Sequence, residues 1–207
     1  MSRALATSPW ERRAAGIADL LTWATAARPP TLGSGRLVCV DGRAGSGKST
    51  LGRALLAAAT ELGSARLLEV DHMLDGWSGL ATVSGRIDRE LVGPLREGRA
   101  GRYQRYDWDR ERFAEWHTVE PVDTLILEGC GSGASSYRDA VTTLVWVEAP
   151  RELRLKRGIA RDGEELRPQW LRWMDDEDAV FSRERTRERA DVVVDGTGEL
   201  DRAVVFC

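Results

Sequence analysis

The sequence predicts an α/β protein with a doubly wound, mainly parallel five-stranded sheet and helices on both of its faces. Two observations predict this fold class: short apolar runs recur along the chain, and segments with helical spacing of apolar residues separate them. Alternating strands and helices favour a parallel sheet that is covered on both sides. The carboxylates that follow predicted strands are Asp41, Asp71, Glu128 and Glu148. Because ligands of such sheets bind at the carboxyl ends of strands, we expect a binding site among them.

Chain length and composition are typical of one globular domain, and apolar spacing predicts an additional helix before it. A chain of 207 residues with 42% hydrophobic and 30% charged residues is long enough to bury a full core. Apolar residues at helical spacing over residues 10–27 predict a helix, which ends before Pro29 and Pro30. We therefore expect a helix and linker over residues 1–33 and the main domain over residues 34–207.

Charge and composition argue against several classes of partner. A net charge of −3 is unlike the basic surplus of a general nucleic-acid binder. The chain has no apolar run of about 18 residues, which a membrane-spanning helix needs, and its N-terminus has no secretory pattern. Cys39, Cys130 and Cys207 lie far apart, without the paired spacing of a zinc site. We expect a cytoplasmic protein that binds neither nucleic acid nor membranes.

The first half of the main domain predicts a strand–loop–helix–strand unit. An apolar strand over residues 36–41 leads into a glycine-rich loop, and a helix over residues 49–62 ends at Gly63. A second strand over residues 65–70 ends at Asp71. Glycines and polar residues then predict a loop over residues 72–85.

The second half continues the alternation. The predicted elements are a helix over 86–97 that Gly93 and Pro94 kink or cut, a hairpin within 98–108, strands over 122–127 and 142–147, two helices within 151–189 of which Pro168 opens the second, and a strand over 191–195. Trp170 and Trp173 are three residues apart on the last helix, a spacing that favours core packing.

The glycine-rich loop carries the sharpest chemical signal. Gly42, Gly47, Lys48 and Ser49 complete the pattern G-x-x-x-x-G-K-[ST] between a predicted strand and a predicted helix. Its glycines let backbone N–H groups surround phosphates, the lysine neutralises the β- and γ-phosphates, and the serine hydroxyl binds Mg²⁺. Lysine is otherwise represented only by Lys156. The predicted nucleotide-binding residues are Gly42, Arg43, Ala44, Gly45, Ser46, Gly47, Lys48, Ser49 and Thr50.

This loop is shared by kinases, switch GTPases and motor or transport ATPases. A switch GTPase reads guanine through N-K-x-D, and this chain contains no Asn. The helper motif of transport ATPases, LSGGQ, is also absent from the sequence. Motor ATPases carry paired acids after an apolar strand, whereas here Glu128 is followed by Gly129. The kinase class remains.

Further motifs resemble the uridine kinase-like branch of the P-loop kinases. They are GRAGSGKST, the strand-end Asp71, YDWD at 106–109, LILEG at 125–129, RELRLKRGIARD at 151–162 and ADVVVDG at 190–196, and the resemblance covers about residues 36–196. It implies a P-loop kinase-like main domain and a phosphotransferase that uses ATP and Mg²⁺ to phosphorylate an alcohol group. Two departures leave the acceptor open: His72 and Met73 stand where the family has Ser-Phe, and Arg110 where it often has His.

The resemblance also implies site roles. Asp71 would accept the proton of the attacking hydroxyl, and Glu128 would orient Mg²⁺ or its water shell beside Ser49. A lid over about residues 151–167, hinged at Asp162 and Gly163, would close over the nucleotide. Its candidate catalytic cations are Arg157 and Arg161, with Arg154 as a further member of the same helical face. The candidate acceptor-binding residues are Asp71, His72, Tyr106, Asp107 and Trp108.

Two alternatives stay open on the sequence. A nucleoside monophosphate kinase would need cations for the acceptor phosphate, which Arg86, Arg89, Arg102 and Arg105 could supply. A non-catalytic ATP-binding regulatory module would instead use the helices within 151–189 to contact a partner. The leading hypothesis is a kinase that acts on a small-molecule hydroxyl acceptor.

Overall fold

The computed structural model of the protein describes residues 9–198 and 204–206. Its main sheet contains β1 (Arg36–Asp41), β2 (Ala65–Glu69), β5 (Thr124–Glu128), β6 (Thr143–Glu148), β7 (Val192–Asp195) and β8 (Val204–Phe206), in the order β2-β5-β1-β6-β7-β8. The first five are parallel, and β8 pairs antiparallel with β7. The predicted fold class is confirmed. The additional strand β8 was not predicted, because its three residues are too few to show a period.

Helices cover both faces of this sheet. They are α1 (Pro9–Ala26), α2 (Lys48–Thr60), α3 (Leu80–Arg86), α4 (Gly93–Arg96), α5 (Arg151–Asp162), α6 (Arg167–Glu184) and α7 (Thr186–Arg189). Alternate residues of β1 enter different cores: Val38 and Val40 pack in the core that includes residues of α1 and α2, and Leu37 and Cys39 in the core that includes residues of α3 and α6. Since both faces are covered, the parallel strands read as unbroken apolar runs.

The segment between β2 and the hairpin differs from the prediction. Residues 72–85 were expected to form a loop, but they contain a short 3₁₀ turn at Gly76–Ser78 and the start of α3 at Leu80. The apolar side chains of Leu80 and Val83 are buried, which explains why helix forms there. A π-helical stretch, Ile87–Val92, joins α3 to α4, and the N–H of Gly93 donates to the oxygen of Asp88 in its wider turn. Pro94, which has no N–H to donate, is accommodated at the start of α4.

A separate hairpin consists of β3 (Gly101–Asp107) and β4 (Arg112–Val119). The predicted range 98–108 was wrong, because it holds only the first strand and ends at the turn. The backbone of Glu111 in that turn has φ 49°, a left-handed value. No glycine marks this turn, so the usual signal for a hairpin is missing.

Among the helices in the described part of the chain, none is both long enough and apolar enough to cross a bilayer.

Candidate active site

The phosphate loop, residues 42–50, joins β1 to α2 at the carboxyl edge of the sheet. Three of its glycines have positive φ: 143° at Gly42, 77° at Gly45 and 105° at Gly47. A Cβ at Gly42 would lie 2.1 Å from the oxygen of Val147, and one at Gly45 would lie 2.5 Å from the oxygen of Arg154. Only glycine fits these positions. The first turn of α2 begins directly after Gly47, so its N–H groups face the space that the loop encloses.

The carboxylate of Asp41 holds the phosphate loop in place through hydrogen bonds. This buried carboxylate accepts the N–H of Gly42 at 2.7 Å, of Gly131 at 2.9 Å and of Gly133 at 2.8 Å. Burial raises the pKa of Asp41 to about 6, although the three N–H donors and Lys48 act in the opposite direction. One carboxylate therefore holds together the turns that follow β1 and β5.

Lys48 is buried at the centre of the site. Its Nζ donates to the oxygen of Arg43 at 3.0 Å and lies 3.6 Å from the Sγ of Cys130. Burial lowers the pKa of Lys48, but its interactions with Cys130 first, and then with Glu128, Glu177 and Asp71, outweigh burial and raise the pKa. Burial also raises the pKa of the Cys130 thiol, which is therefore neutral at pH 7. The ammonium group stays charged, as phosphate binding requires.

Ser49 and Glu128, the two predicted metal ligands, lie side by side. Burial raises the pKa of Glu128 to about 7, while Lys48 and a hydrogen bond with the Ser49 side chain lower it. The described residues contain no cluster of three or more His, Cys, Asp or Glu that could hold a metal ion. Mg²⁺ at phosphate sites commonly takes one or two protein ligands and completes its shell with phosphates and water. A hydroxyl and a carboxylate beside the loop fit that pattern.

Asp71 is the exposed residue of the 3₁₀ turn Val70–His72, directly after β2. Glu69 at the end of β2 pairs with Glu128 on β5, which places Asp71 at the same edge as Glu128, and the charge of Asp71 raises the pKa of both Lys48 and Glu128. The indole Nε1 of Trp108 donates to the backbone oxygen of Asp71 at 3.1 Å. The predicted acid, lysine and metal ligands thus meet at one edge of the sheet.

The other predicted acceptor residues differ in placement. Tyr106 is buried and packs edge-on against Trp108 at 5.2 Å, whereas Trp108 is 38% exposed. The carboxylate of Asp107 accepts the N–H of Arg110 at 3.0 Å and therefore shapes the hairpin turn. His72 is half-exposed, with its Nε2 3.9 Å from Glu69. Trp108 is the member of this group that contacts the backbone of Asp71.

Trp108, Trp77 and Trp173 pack in a row, which we call the tryptophan ladder. Trp77 packs edge-on against Trp108 at 5.7 Å, against Trp173 at 5.9 Å and against Trp170 at 6.5 Å. Trp170 and Trp173 are buried, as their spacing predicted. Trp77 was missed, because it falls in the segment that was expected to be a loop.

The three arginines that were predicted to belong to a lid lie on α5, and they differ in their contacts with the phosphate loop. Arg154 is buried, and its Nη1 pairs with Glu177 at 3.1 Å. Arg157 donates to the backbone oxygens of Gly45 at 3.1 Å and of Gly196 at 3.0 Å. These bonds join α5 to the phosphate loop and to the segment that follows β7. The Arg161 side chain is 64% exposed and pairs with Asp162 at 2.6 Å. That ion pair raises the pKa of Arg161, and the charge of Asp71 adds to the effect. Of the three, Arg161 is the most exposed.

Comparison with known proteins identifies the fold of the chain. No family model and no curated protein matches the chain. A structure described as a "possible uridine kinase" from Bacillus stearothermophilus matches with a TM-score of 0.64 and 20% identity, over 88% of this chain and 97% of that one. The chain has the P-loop kinase fold. A "putative fructose transport system kinase" from a Silicibacter species matches this P-loop kinase fold with a TM-score of 0.52 and 22% identity, over 86% of this chain and 94% of that one.

Proposed function

We propose that the protein is an ATP- and Mg²⁺-dependent kinase that transfers the γ-phosphate to a hydroxyl group of a small molecule. The observation that carries this proposal is the position of Lys48, the Ser49–Glu128 pair and Asp71 at the carboxyl ends of the neighbouring strands β1, β5 and β2. A P-loop alone supports only nucleotide binding. The acid on the neighbouring turn adds a group that can receive the acceptor's proton.

In the transfer, the acceptor hydroxyl oxygen forms a bond to the γ-phosphorus as the bond from that phosphorus to the β–γ bridging oxygen breaks. The hydroxyl proton passes to the carboxylate of Asp71, and ADP leaves. Ser49 and Glu128 would hold Mg²⁺, which would supply positive charge to offset the negative charge that develops in the transfer. Lys48 and Arg161 supply further positive charge, and the loop positions the phosphates before reaction.

The surroundings of Asp71 favour an acceptor with a flat or apolar body. A hydroxyl at Asp71 would bring the rest of the acceptor against the exposed ring of Trp108. Aromatic rings bind such surfaces by stacking and by apolar contact. This arrangement supports a ring-bearing alcohol as the acceptor class.

The arginines that a monophosphate acceptor would need are engaged elsewhere. Arg86 donates to the oxygen of Met73, and its guanidinium lies 4.5 Å from the centre of the Phe113 ring. Arg89 pairs with Glu90, Arg102 lies 4.4 Å from the ring centre of Trp116, and Arg105 pairs with Glu115. We therefore favour a phosphate-free acceptor over a nucleoside monophosphate.

A coupled ADP-release assay tests the proposal. Purified protein with ATP and Mg²⁺ is offered nucleosides, sugars, pantothenate-like alcohols and nucleoside monophosphates, and EDTA serves as the metal-free control. We expect a ring-bearing alcohol without phosphate to stimulate ADP release above the rate with water, and EDTA to abolish the stimulation. If ATP binds but no acceptor stimulates turnover, the kinase proposal fails and a nucleotide-binding regulatory module is preferred.

A further inference from the structure

Glu177 on α6 is a fully buried carboxylate that no step of the proposed transfer uses. Its Oε1 accepts the backbone N–H of Ala44 and the indole N–H of Trp173, the latter at 2.8 Å. The thiol of Cys130 lies 3.3 Å from the same oxygen, and Nη1 of Arg154 donates to Oε2 at 3.1 Å. A buried carboxylate is tolerated only with such a complete set of donors.

The ion pair holds one residue of the phosphate loop from both sides. Glu177 accepts the N–H of Ala44, while Arg154 donates to the oxygen of the same residue at 3.2 Å. We call this arrangement the Ala44 clamp: the Glu177–Arg154 pair and the two peptide groups of Ala44. Because Arg154 belongs to α5 and Glu177 to α6, the clamp joins the base of the lid to the loop.

Cys130 connects the clamp to Lys48. Cys130 lies 3.3 Å from Glu177 and 3.6 Å from the Nζ of Lys48, and its thiol also contacts the oxygen of Gly42 at 3.4 Å. The Glu177 carboxylate therefore belongs to the packed group of side chains that fixes where Lys48 meets the phosphates. Small displacements of such groups are costly for phosphoryl transfer, which depends on positioning.

We infer that Glu177 is a positioning residue for the donor side of the reaction. Through the Ala44 clamp it keeps the phosphate loop in its binding shape and couples that shape to the lid helices. This inference rests on the proposed function for its catalytic part, but its effect on nucleotide affinity is independent of any acceptor. Loss of the clamp weakens nucleotide binding and slows transfer, and it leaves the KM for the acceptor unchanged.

Two variants test the clamp. Glu177→Gln keeps the size of the side chain and removes its charge, which leaves the Arg154 cation without its partner. The double variant Glu177→Gln with Arg154→Met removes both charges, so that no buried ion is left unpaired and folding is retained. Glu184→Gln is the matched control, because Glu184 lies on the same helix and binds Ser135 instead of the loop.

Each variant is measured by urea unfolding, by nucleotide titration followed by tryptophan fluorescence, and by kcat and KM. We expect the double variant to fold and to bind ATP roughly 10-fold more weakly, with kcat lowered by a similar factor and the acceptor KM unchanged. A folded double variant with wild-type nucleotide affinity and kcat overturns the inference. If the wild-type protein binds ATP but phosphorylates no acceptor, the proposed function fails, and the affinity measurement still decides the role of the clamp.

Discussion

The indole N–H of Trp108 donates a hydrogen bond of 3.1 Å to the backbone oxygen of Asp71. This bond joins the turn of the β3–β4 hairpin to the end of β2, 37 positions apart in sequence. Trp108 also packs edge-on against Trp77, so the hairpin turn is held to the main domain on two sides. The acid proposed to receive the acceptor's proton is therefore positioned by a residue of the hairpin.

Trp108→Phe separates the two roles of this side chain. Phenylalanine keeps an aromatic surface but cannot donate to Asp71, so we expect kcat to fall severalfold while the acceptor KM changes little. Trp108→Ala removes the surface as well and is expected to raise the acceptor KM roughly 10-fold. Steady-state kinetics measure both, with Trp116→Phe on the outer part of the hairpin as control. Equal effects of Phe and Ala on KM would show that stacking plays no part.

Asp71→Asn is expected to retain ATP binding and to lose transfer by about 100-fold to 10,000-fold, the usual contribution of a general base. The amide has nearly the same shape but does not accept the hydroxyl proton. Nucleotide titration and single-turnover transfer give the two quantities. Asp75→Asn is the control, because Asp75 is an exposed aspartate four residues further along. Wild-type turnover in Asp71→Asn would remove this residue from the mechanism.

Lys48→Ala is expected to weaken both ATP binding and turnover. The substitution removes the buried ammonium group beside Glu128 and Glu177, and the loss in kcat should be about 100-fold or more. Lys156→Ala is a matched control, since Lys156 is exposed on α5. Nucleotide affinity by titration and kcat by the coupled assay decide the outcome. A variant that binds ATP like the wild type would contradict the phosphate-binding role.

Arg161 and Arg157 are expected to respond differently to replacement by alanine. Arg161 is exposed and its ion pair with Asp162 contributes little to stability, so Arg161→Ala should lower kcat at least 10-fold without changing the unfolding free energy. Arg157→Ala removes two hydrogen bonds to the backbone and should cost about 1–3 kcal/mol of unfolding free energy. Urea unfolding and kinetics on both variants test this division, which an unchanged kcat in Arg161→Ala would overturn.

The raised pKa of Asp41 predicts how the stability of the folded protein depends on pH. In the unfolded chain its carboxyl ionises near its ordinary pKa of 3.8, whereas in the folded protein burial keeps it protonated up to about pH 6. The folded state binds more protons between these values, so the contribution of Asp41 to the unfolding free energy falls by roughly 3 kcal/mol as pH rises from about 4 to above 6.

Asp41→Asn abolishes that dependence and also weakens the bonds to Gly42, Gly131 and Gly133. The variant should be less stable than the wild type, with the largest difference at pH 4 and a smaller one at pH 7. Urea unfolding at several pH values measures this difference. Asp123→Asn is the control of opposite sign, because hydrogen bonds from Ser64 lower the pKa of Asp123. A difference for Asp41→Asn that grows with pH would contradict the prediction.

The sequence by itself determined the parts of the protein that depend on neighbouring residues. Short apolar runs predicted the five parallel strands. The spacing of glycines predicted the phosphate loop, because its backbone has positive φ values that favour glycine. The strand-end positions of Asp41, Asp71 and Glu128 follow from the same pattern. In a parallel sheet the carboxyl ends of strands share one edge, so these carboxylates were predicted to lie together.

Only the tertiary structure decided which distant side chains complete the site. The contact between Ala44 and Glu177 spans 133 positions, and the bond from Arg157 to Gly45 spans 112. Trp77 joins the tryptophan ladder because α3 and the hairpin bring the segment before them against α6. Periodicity and spacing report on residues within a few turns of one another. Contacts of this length are set by how whole helices pack on the sheet, which no local pattern encodes.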